Sequence, residues 1–318
     1  MEKVTIILLA GGEASRYRNS FKSLTNSHHD KLLSKKGNIS LLEFVCAELR
    51  SLGDIIVVTR GEKRKKLYFN LLSQKRISVI SEDTKISIGP LGGIYSALNL
   101  CKRDHTKVII PTDLPNIRKD IITELITRAS QSKPFDLISL VHPNGQIENL
   151  VLISHSDVLL KSSQFLIDKG IFRVSSLIRL ISKKRFLNTT YLMKDTDTAK
   201  AFKDLDSHDF NFETKAISNP VINSSHIDFG LDMNTEINQK DPSILYRKSL
   251  DFITNYTKKD QERITFSISS LLEESNIYRK RGLLSLSLHC LLDAYKLKKD
   301  LEVKNQIISL IVQLNDSW

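Results

Sequence analysis

The chain has 318 residues, of which 41% are hydrophobic and 26% charged, and its formal net charge is +11. This length and composition are typical of a folded protein with about two domains. They argue against a membrane protein, because no apolar run approaches the ~18 residues that a span needs. Since Met1, Glu2 and Lys3 run directly into a predicted strand, we expect no signal peptide and a cytoplasmic location.

The positive charge does not predict nucleic-acid binding. The basic residues form separated clusters without interleaved aromatic side chains, at Lys63–Lys66, Lys183–Arg185 and Arg279–Arg281. Such a spread matches no nucleic-acid reading motif, although a basic surface favours encounter with small anionic ligands.

Strands and helices alternate through the first two thirds of the chain. This alternation predicts an α/β fold, with a mainly parallel sheet and helices on both faces. Residues 186–235 should hold short strands and loops that pack back on the sheet. We expect strands at 4–10, 54–59, 77–80, 107–111, 135–141 and 149–154, and helices near 40–52, 62–74, 91–101, 118–131, 156–169 and 173–184.

The first strand runs directly into a glycine turn. Val4–Leu9 is apolar and rich in β-branched residues, Gly11 and Gly12 follow, and Arg16 comes four residues later. Glycines let the backbone approach a ligand closely, and a helix start together with an arginine suits one anion. The alternative interpretation is a plain reversal of the chain.

Two further segments favour a ligand-binding interpretation. Gly89–Gly93 is a second glycine-rich turn before an apolar helix, and Val108–Pro111 is a second buried strand, after which Asp113 follows. In an open α/β sheet the ligand crevice lies outside the carboxyl ends of the strands, so these loops can form one pocket with Asp113 at its rim. A helix-capping role for Asp113 is the alternative.

Taken together, these motifs resemble the molybdenum cofactor guanylyltransferase family, also called molybdopterin-guanine dinucleotide synthase. The resemblance covers about residues 3–240, and GPLGGI is its most specific element because that glycine spacing distinguishes guanylyltransferases from their cytidylyltransferase relatives. The motifs are LAGG with Arg16, Asp30-Lys31-Leu32-Leu33, GPLGGI, PTDLP, Glu148-Asn149-Leu150, and Leu231-Asp232-Met233-Asn234-Thr235.

The resemblance implies a Rossmann-like nucleotidyltransferase domain and a role for each motif. Arg16 and Lys31 would hold the triphosphate, Asp113 and Asp232 would hold Mg²⁺, and Asn234 would contact the acceptor. Glu82 or Asp83 would accept hydrogen bonds from guanine N1 and N2. Arg16, Lys31 and Asp113 would form the catalytic set. The residues expected to line the nucleotide, besides these, are Leu9, Ala10, Gly11, Gly12, Gly89, Pro90, Leu91, Gly92 and Gly93.

The implied reaction is the Mg²⁺-dependent transfer of GMP from GTP to molybdopterin with release of pyrophosphate. Two alternatives stay open. In the first, the chain is another nucleotidyltransferase of the same fold that acts in cytidylyl or sugar-phosphate chemistry. In the second, it is a nucleotide-binding adaptor that has lost catalytic turnover. The adaptor alternative rests on departures from the family pattern at Tyr17-Arg18, where Met-Gly is usual, and on the longer stretch 19–29.

After Pro242 the composition changes to four helical stretches, near 243–257, 260–281, 283–298 and 300–316. We therefore predict a nucleotidyltransferase domain at 1–240 and a small all-α domain at 243–318. Small residues within it are spaced as in one tetratricopeptide repeat, a weak signal for a partner-binding or self-associating module. A purely stabilising bundle is the alternative. We assign no chemistry to His105 or His142, and we expect Cys46, Cys101 and Cys290 to be buried thiols.

Overall fold

The structure is a computed structural model, which describes residues 3–11, 30–36, 38–72, 77–82, 89–131, 135–155, 157–192, 221–222, 224–229, 241–254 and 261–315. Its strands are β1 Val4–Leu9, β2 Lys35–Lys36, β3 Ile39–Ser40, β4 Asp54–Thr59, β5 Ile77–Ser81, β6 Thr106–Pro111, β7 Leu137–Val141, β8 Ile147–Ser154, β9 Lys184–Asn188 and β10 His226–Phe229. Its helices are α1 Leu41–Leu49, α2 Glu62–Leu71, α3 Pro90–Leu98, α4 Lys119–Gln131, α5 Val158–Asp168, α6 Val174–Leu180, α7 Pro242–Thr254, α8 Gln261–Lys280, α9 Leu284–Leu297 and α10 Leu301–Asn315. Short 3-10 turns lie at Lys31–Leu33 and Thr189–Tyr191.

Among the described residues, eight strands form one sheet in the order β10-β9-β7-β8-β6-β1-β4-β5. The strands β5, β4, β1 and β6 are parallel, as predicted for buried apolar runs joined by helices. The sheet is nevertheless mixed, since β8 runs antiparallel to β6 and β7, and β10 runs antiparallel to β9. The carboxyl ends of β5, β4, β1, β6 and β7 therefore meet the amino end of β8 at one edge.

Two apolar layers sandwich the sheet. On one face, α1 and α4 pack on alternate side chains such as Ile6 and Val108. On the other face, α3, α5 and α6 pack on the intervening ones, such as Ile7 and Ile109. This alternation follows from the period of two along a strand. The predicted α/β architecture with helices on both faces is confirmed.

The expected helix at 173–184 is wrong at its end, because α6 stops at Leu180 and β9 begins at Lys184. Lys184 is fully buried, and its Nζ atom donates to the carbonyl oxygens of Ile178 at 3.0 Å and Arg179 at 3.3 Å. The lysine thus satisfies carbonyls at the end of the helix from the first position of the next strand.

The C-terminal helices α7 to α10 lie close to their predicted positions and share a hydrophobic cluster with α3, α5 and α6. The proposed domain boundary near residue 240 falls outside the described residues, so the division into two domains stays a prediction. Within the described part of the chain, no helix combines the length and the apolar character that crossing a membrane requires.

A buried ionic cluster joins the C-terminal helices to the sheet side of the molecule. Arg179 in α6 is fully buried, and its guanidinium donates to both carboxylate oxygens of Glu274 in α8, at 2.8 and 2.6 Å. It also donates to Asp293 in α9 at 2.7 Å and lies 3.9 Å from the ring centre of Tyr246 in α7. One arginine therefore contacts three of the four C-terminal helices.

A second contact joins the β7–β8 turn to the turn between α8 and α9. Gly145 adopts φ +84°, and a Cβ added there would overlap the carbonyl oxygen of Gly282. The Ser285 amide donates to the Gly145 carbonyl oxygen at 3.2 Å, and the Ile147 amide donates to Ser285 Oγ at 3.1 Å. The C-terminal helices thus hold the hairpin formed by β7 and β8.

Candidate active site

The carboxyl edge of the sheet aligns the segments that the sequence singled out. Just past the strands, three backbone amides donate to backbone carbonyl oxygens of the neighbouring strands. The bonds are Ala10 to Val58 at 2.7 Å, Thr112 to Leu9 at 3.2 Å, and Glu82 to Thr59 at 2.9 Å. These bonds continue the sheet for one residue beyond β1, β6 and β5. Gly11, Asp113 and Glu82 therefore follow neighbouring strand ends along one edge.

The second glycine motif brings the start of α3 against this edge. Gly89 has φ +83° and begins the helix without a side-chain cap, and Pro90 fills the first helical position. A Cβ added to Gly93 would lie 3.3 Å from Val58, 3.7 Å from the Glu82 carboxylate and 3.8 Å from Leu9. Glycine here allows the helix to lie close to the strands, and its free N–H groups suit an anion. Leu91 and Gly92 are buried in this first turn.

Lys31 and Asp113 form an ion pair at the same edge. The Lys31 Nζ atom lies 2.6 Å from Asp113 Oδ2, and the two side chains are only 9% and 22% exposed. A buried lysine needs such a partner to stay charged. The pair places one ammonium and one carboxylate together beside the end of β6.

Asp30, which precedes Lys31 in the chain, fixes the turn that carries Lys31. Its carboxylate caps the Lys31–Leu33 turn by accepting from the Leu32 amide, and it also accepts from the Tyr68 hydroxyl at 2.6 Å. Arg64 in α2 lies 3.2 Å from the same carboxylate. Sequence reasoning quoted Asp30 only as part of a motif, whereas the structure shows that it ties the Lys31 turn to α2.

Sequence reasoning missed Arg60, which follows β4 at this edge. Its Nε atom lies 3.2 Å from Glu82 Oε1, and Glu82 is almost completely buried. Burial raises the pKa of Glu82, and the Arg60 guanidinium partly opposes that rise. The position of Arg60, directly after a parallel strand, is the signal that would have found it.

The other half of the edge carries a polar group around His142, to which the sequence assigned no chemistry. His142 Nε2 lies 2.6 Å from Glu148 Oε1, and His142 Nδ1 lies 3.2 Å from Thr189 Oγ1. The three residues come from the ends of β7 and β9 and the start of β8. His105, by contrast, lies at the start of β6, where its ring contacts Thr5.

A metal ion at this site would depend on substrate for most of its ligands. No three His, Cys, Asp or Glu side chains gather into a metal site among the residues that the structure describes. Mg²⁺ is typically held by one or two carboxylates together with substrate phosphates and water. Asp113, a partly exposed carboxylate at the strand end, fits that donor set.

Five of the expected site residues lie outside the described part of the chain: Gly12, Arg16, Asp83, Asp232 and Asn234. Their roles stay predictions. The remaining expected residues lie at one edge of the sheet.

Comparison with known proteins gives a family match and two partial relatives. Residues 6–184 match the family model of the MobA-like NTP transferase domain. A probable molybdenum cofactor guanylyltransferase of Clostridium perfringens strain 13 is 31% identical over 127 residues, which are 39% of this chain and 54% of that protein. Its counterpart in strain ATCC 13124 is 30% identical over the same shares of both chains. The chain thus spans about half the length of these curated relatives.

Solved structures resemble this chain more distantly. A nucleotidyl transferase from Methanothermobacter thermautotroptrophicus is 15% identical with a TM-score of 0.42, covering 56% of this chain and 91% of that one. The Francisella tularensis 2-C-methyl-D-erythritol 4-phosphate cytidylyltransferase is 16% identical with a TM-score of 0.42, covering 59% of this chain and 90% of that one.

Proposed function

Because this chain belongs to the MobA-like NTP transferase family, we propose that it transfers GMP from GTP to molybdopterin, releasing pyrophosphate and forming molybdopterin guanine dinucleotide. The names of its Clostridium perfringens relatives support this choice of substrates. The observation that carries the proposal is the Lys31–Asp113 ion pair beside the two glycine segments. It provides the charges that a triphosphate and its metal ion need, at the edge where α/β proteins bind ligands.

The proposed chemistry needs few groups from the protein. The nucleophile is the terminal phosphate of the acceptor, a phosphate monoester that is largely dianionic above its second pKa of ~6. One of its oxygens forms a bond to the α-phosphorus of GTP, the bond from that phosphorus to the bridging oxygen breaks, and pyrophosphate leaves. Because the nucleophile is already ionised, the protein has to supply position and charge neutralisation rather than a general base.

Each candidate residue has a part in that scheme. Lys31 donates to nonbridging phosphate oxygens, the N–H groups at the start of α3 and of the Gly11-Gly12 turn face the phosphates, and Arg16 adds a planar charge. Asp113, with Asp232 as the second carboxylate, would hold Mg²⁺, which supplies charge neutralisation on the triphosphate when bound.

The segment after β5 would recognise the guanine base. Of the two carboxylates proposed for guanine N1 and N2, Glu82 is buried and bound to Arg60. This favours Asp83 as the group that contacts the base, while Glu82 orients Arg60. We expect the reaction to take place in the cytoplasm, where nucleoside triphosphates are available, and any protein partner of the C-terminal helices stays a prediction.

One assay tests the proposal. Purified protein is titrated with each of the four nucleoside triphosphates and Mg²⁺, molybdopterin is added, and pyrophosphate is measured. We expect release with GTP that depends on molybdopterin. Release with CTP instead would identify a cytidylyltransferase, and GTP binding without release would identify an adaptor; either result contradicts the proposal.

A further inference from the structure

The strongest unassigned feature is the polar group at the β7–β8 hairpin. His142 is 4% exposed in its side chain and uses both ring nitrogens, towards Glu148 Oε1 at 2.6 Å and towards Thr189 Oγ1 at 3.2 Å. The Ser139 hydroxyl also donates to the Glu148 backbone carbonyl oxygen. Glu148 is therefore fixed by its side chain and by its backbone.

Glu148 is fixed but still accessible. Its side chain is 22% exposed, and its second oxygen, Oε2, has no hydrogen-bond partner among the described residues. A carboxylate that is oriented by a buried histidine and open on one side is arranged to accept hydrogen bonds from a ligand.

The sheet places this carboxylate at the same edge as the proposed catalytic pair. The last recorded pair between β6 and β8 joins Ile109 to Leu152. Beyond that pair β8 shifts its register on β7, and Glu148 pairs with Leu140 near the carboxyl end of β7. Asp113 follows the carboxyl end of β6, so both carboxylates lie at the same edge of the sheet.

Two unsatisfied polar atoms lie next to these carboxylates in the chain. Thr112 Oγ1 and Asn149 Oδ1 are buried and have no hydrogen-bond partner in the described part of the chain. Thr112 directly precedes Asp113, and Asn149 directly follows Glu148. Buried polar atoms are normally paired, so a ligand or water that donates to them is expected here.

We propose that Glu148, positioned by His142, is the group that binds the ring of the pterin acceptor. This inference rests on the proposed function. A carboxylate repels the phosphate of the acceptor, so it suits the opposite end of that molecule. A pterin ring presents N3–H and its 2-amino group side by side, and a carboxylate accepts from two such donors at once. Phosphates then lie towards Lys31, and the ring lies towards Glu148.

The first experiment compares Glu148→Gln with a matched control, Glu302→Gln, which changes an exposed residue on α10. The amide loses the negative charge and one acceptor, so we expect the KM for molybdopterin to rise about ten- to a hundredfold while the KM for GTP stays unchanged. An unchanged acceptor KM, or an equal rise for GTP, overturns the inference.

The second experiment measures binding without turnover. A 6-substituted pterin phosphate and the matching lumazine, in which oxygen replaces the 2-amino group, are titrated by ring fluorescence. The unchanged protein should prefer the pterin, and Glu148→Gln should lose or reverse that preference, because its amide NH2 donates to the 2-oxygen of the lumazine and cannot accept from a 2-amino group. Equal binding of the two ligands to the unchanged protein contradicts the role of Glu148.

His142→Gln tests positioning. Its effect on pterin binding should largely disappear when Glu148 is already Gln, whereas additive effects in the double variant would contradict a role through Glu148.

The experiments distinguish failure of this inference from failure of the proposed function. Transfer to molybdopterin without a pterin preference removes only this inference, and a pterin preference without transfer removes only the proposed function.

Discussion

The Lys31–Asp113 ion pair joins residues 82 positions apart and gives the proposed site its central charge pair. The two side chains depend on each other, because loss of the Asp113 carboxylate would leave the buried Lys31 ammonium unpaired and destabilise the fold. Asp30, Tyr68 and Arg64 then fix the turn that carries Lys31. The charges at the site are therefore oriented before any substrate binds.

We predict that Asp113→Asn lowers Mg²⁺-dependent pyrophosphate release by at least about a hundredfold, because the amide is a poorer ligand for a hard cation and no longer balances Lys31. Release is measured at saturating GTP over a Mg²⁺ titration, and circular dichroism checks the fold. Asp104→Asn serves as the control, since Asp104 pairs with Lys3 at the opposite end of β6. Undiminished release in Asp113→Asn would remove this residue from the metal role.

At the residue scale, the sequence identifies side chains that belong to recognisable motifs. It does not identify side chains whose role depends on a contact with a residue distant in the chain. Lys31 and Asp113 each follow a recognisable pattern. Arg60 and His142 gain their meaning from contacts with Glu82 and Glu148, which depend on how strand ends are placed in space. A local sequence pattern carries no information about such contacts.

At the scale of elements, periodicity predicted most helices and the buried parallel strands. It failed at the end of α6, because Lys184 lies in β9 while its side chain bonds the last carbonyls of the helix. The antiparallel direction of β8 and β10 was not predicted either, because the hydrophobic pattern of a strand is the same whether it runs parallel or antiparallel to its neighbour. Direction depends on the length of the connection, such as the short turn after β7.

The contact between the two turns gives a prediction for Gly145→Ala. Alanine is strained at φ +84°, and its Cβ would overlap the Gly282 carbonyl, so the two turns must separate. We expect a loss of stability of about 1 to 3 kcal/mol, together with a higher KM for the acceptor and little change for GTP. Gly170→Ala is the control, because it has a similar φ of +70° but nothing within 4 Å. Equal effects of both substitutions on the acceptor KM would argue against a link between the turn and the site.

The buried ionic cluster gives a second prediction at this scale. Arg179→Met leaves two buried carboxylates, Glu274 and Asp293, without their main partner, so we expect a loss of about 3 to 5 kcal/mol in the free energy of unfolding. Urea unfolding measures it. Arg173→Met is the matched control, because Arg173 pairs with Asp293 but is 42% exposed, and its loss should be much smaller. Similar losses in the two variants would show that burial of the arginine is not decisive.

For the whole molecule, the C-terminal helices and the sheet share a core, so their stability should show one cooperative pH dependence. His289 in α9 contributes to it, because burial lowers its pKa to about 4. The unfolded chain takes up a proton below its ordinary pKa of ~6.5, whereas the folded protein does so only near pH 4. This group therefore lowers stability as the pH falls through that window.

We predict that the free energy of unfolding falls less between pH 7 and pH 4 in His289→Gln than in the unchanged protein, by about 2 kcal/mol. Urea titrations at several pH values measure the difference, and contributions from other groups cancel in the comparison. Parallel pH profiles for the two proteins would contradict a depressed pKa at His289.

The contact between Gly145 and the turn at Gly282 also has a consequence for synthesis on the ribosome. The glycine loops and the Lys31 turn emerge first. Gly282 emerges more than a hundred residues after the hairpin that it contacts, and Glu274 and Asp293 emerge 95 and 114 residues after Arg179. A nascent chain can therefore assemble the half that carries the proposed site early, but it has to shield Arg179 and an unsupported hairpin until the last helices arrive. Chaperone dependence during translation should accordingly be greatest just before α8 leaves the ribosome.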